Sequence, residues 1–323
     1  MRYLVTGATG FLGRSLVSLL LIGNHEVTAL VRDPIRAASL LGSKVTLSNG
    51  DVTDRASVTA AVSGVDGVFH LAAWYEVGRR NPAAEAINVG GTRNVIEEAW
   101  RAGVPRIVYT STLAINSDTR GETRDESFRF EGTHISEYDR TKWLAHYEVA
   151  EPLAAAGAPV VTVQPGVIYG PGDQSGVGRL FRTWIRGRPT AFCPTAAYCW
   201  GQVEDTARGH LQAMELGVPA RCYMICGPPH SLDEAFRIAA EVMDRPPPRW
   251  RLQAGMLRGG SRIADVLARV VPTLAGTAEL LRTAAATYLG DAARARTELG
   301  FLPRDLRTGL AELLPVLAAD PAV

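Results

Sequence analysis

Short apolar runs alternate with longer amphipathic segments through the first half of the chain. The apolar runs are continuous, which is typical of strands covered on both faces of a parallel sheet. We predict strands over residues 2–6, 26–31, 44–48, 67–71, 106–111 and 159–164. We predict helices over 12–22, 83–102 and 136–156, because these segments are too long for strands. The alternation predicts an α/β fold with a doubly wound parallel sheet.

The pattern changes after residue 164, where Gly- and Pro-rich segments interrupt it. The sequence therefore predicts a first domain over 1–165 and a smaller, irregular lobe over 166–323 that would bind substrate. The apolar run at 221–226 is a candidate strand that returns to the first sheet.

Charge and composition narrow the possible functions. The 323 residues include 34 basic and 33 acidic side chains, so the net charge is close to zero. A protein that binds nucleic acid or a membrane surface is expected to have an excess of positive charge, so neither function is expected. The four cysteines form no C-x-x-C pair, and the six histidines lack the spacing of a zinc site, so no metal is expected. We find no export signal and no span of roughly 20 apolar residues. A cytoplasmic enzyme that acts on a small molecule is expected.

Three glycines lie where the first strand gives way to the first helix. Gly7 allows a tight turn, Gly10 allows backbone N–H groups to approach a pyrophosphate, and Gly13 allows the helix to pack closely on the strand. The helix N-terminus would then face the anion. This context predicts a dinucleotide-binding Rossmann fold.

The residue at the end of the second strand should determine whether NAD or NADP binds. An acidic residue there would favour NAD, but the position is Val31, and Arg32 follows it. A guanidinium can bind the 2′-phosphate of NADP, so NADP is predicted over NAD. The alternative is that Arg32 only pairs with Asp33 or Asp51 at the surface. Asp51, at the end of the third strand, is expected to reach the adenine.

Tyr138 and Lys142 are four residues apart on a predicted helix, so they share one face. A free tyrosine has a pKa of about 10, and a neighbouring ammonium would lower that pKa toward the range useful for proton transfer. The pair alone is equally consistent with an ordinary amphipathic helix. Residues 110–112 add hydroxyl groups after the fifth strand, at the sheet edge where α/β proteins bind ligands.

Taken together, these motifs resemble those of the extended short-chain dehydrogenase/reductases over nearly the whole chain. Further matches are His70-Leu71-Ala72-Ala73, Asn88-Val89-Gly90-Gly91-Thr92 and the run from Gln164 to Gly172. The resemblance implies that Tyr138 is the general acid and base, that Lys142 is its electrostatic partner, and that Thr112 orients the substrate oxygen. It implies either that Asn88 holds the helix and a water near Lys142 or that Asn88 is a buried amide that satisfies the backbone.

The glycine turn, Arg32 and the resemblance together predict the set of cofactor contacts. The set is Gly7, Thr9, Gly10, Phe11, Leu12, Arg32, Asp51, Val52, Leu71, Ala72, Ala73, Ser111, Tyr138, Lys142, Gln164, Pro165, Gly166 and Val167. The two long helices, 83–102 and 136–156, form the subunit interface in many relatives, so a homodimer is possible.

Two positions beside these motifs indicate which reaction to expect. Dehydratases of the family carry an acidic pair where this chain has Leu113-Ala114, and nucleotide-sugar epimerases carry an arginine where it has Tyr198-Cys199-Trp200. Aromatic residues are the candidate substrate contacts, although such residues are more often core. They are Trp74, Tyr75, Tyr169, Phe192, Tyr198 and Trp200.

The chain looks most like the dihydroflavonol reductase-like and steroid dehydrogenase-like branch. The leading hypothesis is NADPH-dependent interconversion of a ketone or aldehyde and an alcohol on a hydrophobic, aromatic or polycyclic small molecule. The alternatives are a nucleotide-sugar 4-epimerase with tightly bound NAD and a non-catalytic redox sensor. The sensor is disfavoured because both Tyr138 and Lys142 are present.

Overall fold

The computed structural model describes residues 1–78 and 81–319. Its strands are β1 Arg2–Thr6, β2 Glu26–Val31, β3 Val45–Asn49, β4 Gly67–His70, β5 Ile107–Thr110, β6 Val160–Pro165, β7 Val167–Tyr169, β8 Ala191–Phe192, β9 Ala197–Gln202, β10 Cys222–Ile225, β11 Pro229–Ser231, β12 Trp250–Arg251 and β13 Thr287–Tyr288. Seven of them form a parallel sheet in the order β3-β2-β1-β4-β5-β6-β10. The order reverses direction between β1 and β4, and ligands of open α/β sheets bind at such a reversal. The predicted α/β fold with a parallel sheet is confirmed.

The helices cover both faces of this sheet. They are α1 Phe11–Ile22, α2 Pro34–Leu41, α3 Arg55–Ala61, α4 Gly91–Arg101, α5 Glu137–Ala145, α6 Glu151–Ala155, α7 Gly176–Ile185, α8 Val203–Leu216, α9 Leu232–Val242, α10 Ala254–Leu267, α11 Leu274–Ala284, α12 Ala293–Leu299 and α13 Leu306–Ala319. Apolar side chains of α1, α8 and α12 form the core on one face of the sheet, and those of α3 and α4 form it on the other. This two-sided burial explains why the strands are continuously apolar.

Both long helices predicted from the sequence contain a wider turn. A π-helical turn at Ala86–Gly90 leads into α4, and a second one at His146–Ala150 separates α5 from α6. Such turns are rare and are often found at functional sites. The segments that the sequence analysis treats as single α-helices are therefore helical but not uniform.

The chain after β6 contains more regular structure than the sequence predicts. Strands β11, β9 and β13 pair side by side, β7 pairs with β9, and β8 pairs with β12. Their strands are short, so they lack the long periodic runs that sequence analysis detects best. Strand β10, within the candidate run at 221–226, is parallel to β6 in the large sheet. Among the described helices, none combines the length and the apolar character needed to span a membrane.

Candidate active site

The glycine turn between β1 and α1 is built by close backbone contacts. Gly7 has a positive φ of 74°, and a Cβ on it would lie 2.7 Å from the backbone nitrogen of Ala72. A Cβ on Gly13 would overlap the carbonyl oxygen of Gly7. Gly10 begins the helix, and its N–H donates to the carbonyl oxygen of Gly7 at 3.0 Å. These contacts explain why the turn tolerates only glycine at positions 7 and 13.

The N-terminus of α1 fits an anion such as a pyrophosphate. No side chain caps this terminus, the first turn contains no acidic residue, and Gly10 is exposed. Thr9, Phe11 and Leu12 are half-buried around it. The uncapped N–H groups and the positive end of the helix dipole are therefore available to a phosphate group.

Arg32 lies at the carboxyl end of β2, and its side chain is 77% exposed. Its Nε lies 3.9 Å from Oδ2 of Asp51, which is too long for a hydrogen bond. Asp51 instead accepts hydrogen bonds from the backbone N–H and the hydroxyl of Thr53, each at 2.8 Å. Asp33 accepts from the backbone N–H of Arg36 and caps α2. The Arg32 guanidinium is thus held only loosely by protein carboxylates.

The segments after β3 and β4 border the candidate cofactor site. Val52 is buried against Gly91, where a Cβ would contact its side chain at 2.7 Å. Ala72 donates its N–H to the hydroxyl of Thr6 at 3.2 Å, and this bond holds residues 71–73 against the glycine turn.

Residues at the end of β6 border the candidate cofactor site opposite the glycine turn. Gln164 is buried there, and its Oε1 has no hydrogen-bond partner among the described residues. Pro165 is the last residue of β6, and Val167 pairs with Trp200 in the smaller sheet. A Cβ on Gly166 would overlap the carbonyl oxygen of Cys199. The unpaired amide oxygen of Gln164 is an acceptor that a bound cofactor would satisfy.

Tyr138 lies in the first turn of α5, which Ser136 caps by accepting a hydrogen bond from the N–H of Asp139. Its ring meets Tyr75 edge to face, with centroids 4.8 Å apart. Burial raises the pKa of Tyr138 well above its usual value, repulsion from a Tyr75 phenolate would raise it further, and a side-chain hydrogen bond with Thr112 opposes both. The structure therefore brings Tyr138 and Thr112 together.

Lys142 is buried, with 2% of its surface exposed. Its Nζ donates to the carbonyl oxygen of Thr110 at 2.7 Å and to the hydroxyl of Tyr109 at 3.1 Å. It also lies 4.6 Å from the centroid of the Tyr109 ring. Burial lowers the pKa of Lys142 to about 7.

The pKa of Tyr138 therefore moves in the direction opposite to the predicted one. The sequence analysis expected the Lys142 ammonium to lower the pKa of Tyr138. In the structure, burial destabilises the Tyr138 phenolate more than its hydrogen bond with Thr112 stabilises it. Burial also reduces the tendency of Lys142 to carry the charge that would offset this effect.

A buried hydrogen-bond network lies beneath Tyr138 and Lys142, and sequence analysis did not identify it. The hydroxyl of Thr6 is hydrogen-bonded to Nδ1 of His70 at 2.7 Å. Nε2 of the same ring is hydrogen-bonded to the hydroxyl of Thr92 at 3.1 Å. Tyr109 stacks on His70 and has side-chain hydrogen bonds with Thr92 and Ser111. Burial lowers the pKa of His70 to about 3, so this ring is neutral. The network connects the glycine turn with Lys142.

Two further predicted residues bind protein groups near this network. Asn88 accepts from the backbone N–H of Trp74 at 2.7 Å and donates to its carbonyl and to the hydroxyl of Thr141. The bonds to Trp74 satisfy its backbone, and the bond to Thr141 ties Asn88 to α5, so the contacts include features of both predicted roles. The hydroxyl of Ser111 lies 2.9 Å from Nδ1 of His146.

The predicted aromatic contacts separate into two groups. Tyr75 is 56% exposed beside Tyr138, and Trp74 is buried next to it, with no partner for its Nε1 among the described residues. Tyr169, Phe192 and Trp200 are each at most 3% exposed, in an apolar core formed by the chain after β6. The structure does not place these three rings on a surface that a substrate can reach.

Asp139 and Tyr288 lie behind Tyr138 and were not identified from the sequence as site residues. The Tyr288 hydroxyl donates to Oδ2 of Asp139 at 3.2 Å, and its ring stacks on Tyr198 with centroids 6.2 Å apart. Burial raises the pKa of Asp139 to about 7. Tyr288 is 150 positions from Tyr138, so no local pattern could connect them.

Comparisons with known proteins agree with this arrangement. The profile of the family described as "NAD dependent epimerase/dehydratase family" matches residues 3–226. Sterol demethylase protein B of Methylococcus capsulatus is 32% identical over 97% of both chains. A 3 beta-hydroxysteroid dehydrogenase/Delta 5-->4-isomerase of Mycobacterium tuberculosis is 36% identical over 58% of this chain and 52% of its own.

Solved structures share the fold over nearly the full length. The crystal structure of gox2253 has a TM-score of 0.84 and 28% identity, and the match covers 97% of this chain and 96% of that one. The UDP-glucose 4-epimerase of Thermus thermophilus, in complex with NAD, has a TM-score of 0.78 and 21% identity, with full coverage of both chains. At that identity the second likeness concerns the fold alone.

The family match spans the glycine turn, Thr112, Tyr138 and Lys142, and the first relative extends the similarity to nearly the whole chain. The chain therefore belongs to the NAD dependent epimerase/dehydratase family, as an NAD(P)-dependent oxidoreductase of the extended short-chain dehydrogenase/reductase type.

Proposed function

We propose that the protein is an NADP-dependent dehydrogenase or reductase that interconverts a secondary alcohol and a ketone on an apolar, polycyclic small molecule of the sterol class. The observation that supports this most directly is the position of Tyr138. Its hydroxyl has a side-chain hydrogen bond with Thr112, and its ring contacts the exposed ring of Tyr75 edge to face. Lys142 lies one helical turn further along α5.

In the proposed reduction, the cofactor supplies a hydride to the carbonyl carbon. Tyr138 donates its phenolic proton to the oxygen, which becomes the alcohol, and Thr112 donates a hydrogen bond to the same oxygen. Lys142, held by Thr110 and Tyr109, stabilises the phenolate that remains on Tyr138. In the reverse direction, the Tyr138 phenolate would accept the proton of the alcohol, and the hydride would pass from the alcohol carbon to the oxidised cofactor.

The substrate class rests on the relatives and on the walls of the site. Names of similar proteins refer to sterol demethylation and hydroxysteroid dehydrogenation. Tyr75 offers an exposed ring beside Tyr138, which suits a flat apolar skeleton. Thr112 and Tyr138 are the polar groups that would fix the substrate oxygen, and such a combination is typical of small-molecule sites.

The preference for NADP rests on Arg32. Its side chain is exposed at the end of β2 and is 3.9 Å from Asp51, so it can turn toward a 2′-phosphate without breaking a strong ion pair. We therefore expect Arg32→Ala to weaken NADPH binding by roughly tenfold to a hundredfold, as for loss of a charge-assisted contact, and to leave NADH binding nearly unchanged. Fluorescence titration of both dinucleotides measures this, with the exposed Arg188→Ala as the matched control.

The same experiment distinguishes the alternative reaction. The protein is first denatured, and the supernatant is analysed for released dinucleotide. Retained NAD, or a clear preference for NADH, would contradict the proposal and favour a nucleotide-sugar 4-epimerase, which re-uses a bound cofactor.

The catalytic role is tested on a panel of hydroxysteroids and ketosteroids. Tyr138→Phe should abolish turnover and leave the dissociation constant of NADPH nearly unchanged, because only the proton donor is removed. Tyr147→Phe is the matched control, since its hydroxyl donates to the carbonyl of Phe128 outside the site. Near-normal turnover by Tyr138→Phe would show that another group transfers the proton.

A further inference from the structure

Helix α10 and the turn after it present an unusual concentration of exposed apolar side chains. Ile263 is 64% exposed and Val270 is 83% exposed. The set, which we call the α10 surface, is Met256, Ile263, Val266, Leu267, Val270 and Val271. Single exposed apolar residues are common on soluble proteins, whereas a contiguous group of them marks an interaction site.

The positions of buried and exposed residues along α10 show that the exposed apolar side chains lie away from its buried face. Leu257, Ser261 and Ala264 are buried against the protein at a spacing of four and then three residues. Met256 and Ile263 are seven residues apart, so they share the other side of the helix. Helix α10 is thus apolar on its buried face and again on its outer face.

Arginines border the α10 surface. Arg262 and Arg269 are exposed, and neither forms an ion pair with any residue that the structure describes. Arg258 pairs with Asp118 at 3.4 Å, and Asp265 pairs with Arg282 at 2.6 Å. Between residues 249 and 271 there are five arginines and one acidic residue. The surface therefore combines apolar side chains with local positive charge, although the whole chain is nearly neutral.

We propose that the α10 surface docks on a lipid bilayer that contains anionic phospholipids. Apolar side chains flanked by arginines are the combination that inserts shallowly at the lipid headgroups, where each arginine gains from the negative surface potential. A second copy of the chain fits less well. A two-fold interface would bring two copies of the same positively charged surface together, which is electrostatically unfavourable.

The α10 surface adjoins the candidate active site through α11. A Cβ on Gly276 would overlap the carbonyl oxygen of Gly78, and Glu279 accepts from the N–H of Gly78 at 3.2 Å. Arg282 donates from Nε to the carbonyl of Ile135, just before α5. The helix pair therefore touches both the segment that follows Tyr75 and the start of the helix that holds Tyr138. Docking there would place the site beside a membrane in which apolar substrates dissolve.

The docking proposal does not depend on the proposed reaction, so it is tested without cofactor or substrate. The full chain is mixed with phosphatidylcholine vesicles, with and without phosphatidylglycerol, and bound protein is measured by flotation. We expect binding to the anionic vesicles, and we expect added salt to weaken it. Failure of the wild-type chain to float with anionic vesicles would overturn the proposal.

Two double variants test the apolar and the basic residues of the α10 surface. Ile263→Asp with Leu267→Asp should lower vesicle binding by at least about tenfold, and Arg262→Glu with Arg269→Glu should do so on anionic vesicles in particular. The matched control is Ile22→Asp with Leu302→Asp, since both residues are highly exposed elsewhere. An unchanged thermal midpoint and circular dichroism spectrum in each variant show that the fold is intact.

Sedimentation of the wild-type chain provides the remaining check. We expect its oligomeric state to be independent of Ile263 and Leu267. A dimer that dissociates in the Ile263→Asp and Leu267→Asp variant would assign the surface to self-association and overturn the proposal. Equal loss of vesicle binding in the control variant would also overturn it, because exposed apolar residues in general would then explain the binding.

Discussion

At the scale of single residues, the most informative feature is the environment of Lys142. The ammonium is buried, and among the residues that the structure describes its charge is stabilised by the carbonyl of Thr110 and by the hydroxyl and ring of Tyr109. Burial lowers the pKa of Lys142 to about 7, close to the pH at which the protein would work. Small changes around Nζ should therefore change the charge of Lys142, and with it the ability of Tyr138 to exchange a proton.

Tyr109→Phe tests this interpretation, since it removes a hydroxyl that accepts a hydrogen bond from the buried ammonium. The pKa of Lys142 should fall further, because its charged form loses a partner. As the pH rises, the Lys142 ammonium would then lose its proton at a lower pH than in the wild type. The basic limb of the kcat/KM profile should therefore move to lower pH. A loss of about 1.5–3 kcal/mol of stabilisation corresponds to roughly a tenfold to hundredfold decrease in kcat/KM near neutral pH.

The control for this variant is Tyr223→Phe. Tyr223 is also buried, but its hydroxyl contacts Glu298 and the N–H of Val218 outside the site. Its pH profile should match that of the wild type. An unmoved basic limb in Tyr109→Phe would mean that Tyr109 is only a packing residue.

At the scale of secondary-structure elements, the junction of β1 with α1 determines where the cofactor can lie. The helix approaches the strand so closely that a Cβ at Gly13 has no room beside the carbonyl oxygen of Gly7. The same junction leaves the first N–H groups of α1 uncapped. Packing and anion binding therefore depend on one backbone arrangement.

We predict that Gly13→Ala lowers the free energy of unfolding by about 3 kcal/mol, as expected for overpacking against backbone, and weakens NADPH binding. Urea unfolding and fluorescence titration measure the two effects. Gly90→Ala is the control, because Gly90 has helical backbone angles and a Cβ there meets nothing within 4 Å. That variant should be unchanged or more stable by about 0.5–1 kcal/mol. Equal stabilities of the two variants would contradict the close approach at Gly13.

At the scale of the whole molecule, a largely buried ion pair connects the apolar core beside the large sheet with the apolar core of the chain after β6. Asp205 in the first turn of α8 accepts three hydrogen bonds from Arg304, one from its backbone N–H and two from its guanidinium, each at 2.9 Å. The Asp205 side chain is only 6% exposed. Helix α8 packs on α1, and Arg304 lies two residues before α13, which packs on α7 and α9. This ion pair thus links the two cores.

Arg304→Met should destabilise the protein by about 3–5 kcal/mol, since it leaves the Asp205 carboxylate buried without its cation. The matched control is Arg307→Met. Arg307 pairs with Glu241 where both side chains are more than half exposed, so its loss should cost at most about 1 kcal/mol. Urea unfolding compares the two variants. A loss of similar size in both would show that burial of Asp205 does not govern the strength of the link.

Local sequence patterns were sufficient for the parallel sheet and for much of the candidate site. Strand β1, the glycine turn and helix α1 follow one another within 22 residues, and each has a signal that depends only on near neighbours. The same holds for Tyr138 and Lys142, whose spacing of four places them on one side of α5. Because backbone geometry has fixed periods, such features can be read without knowledge of the remaining chain.

The partners of those residues depend instead on contacts that are distant in sequence. The sequence does not indicate that Lys142 bonds Tyr109, that Tyr288 bonds Asp139, or that Trp200 is buried in a core. The near-neutral composition also conceals the positive α10 surface, since charges sum along a chain but act locally in space. Sequence alone thus determined the strands and most helices of the first half and the candidate chemical groups, whereas the short strands of the second half and the burial, protonation and surroundings of those groups arise only when distant segments pack together.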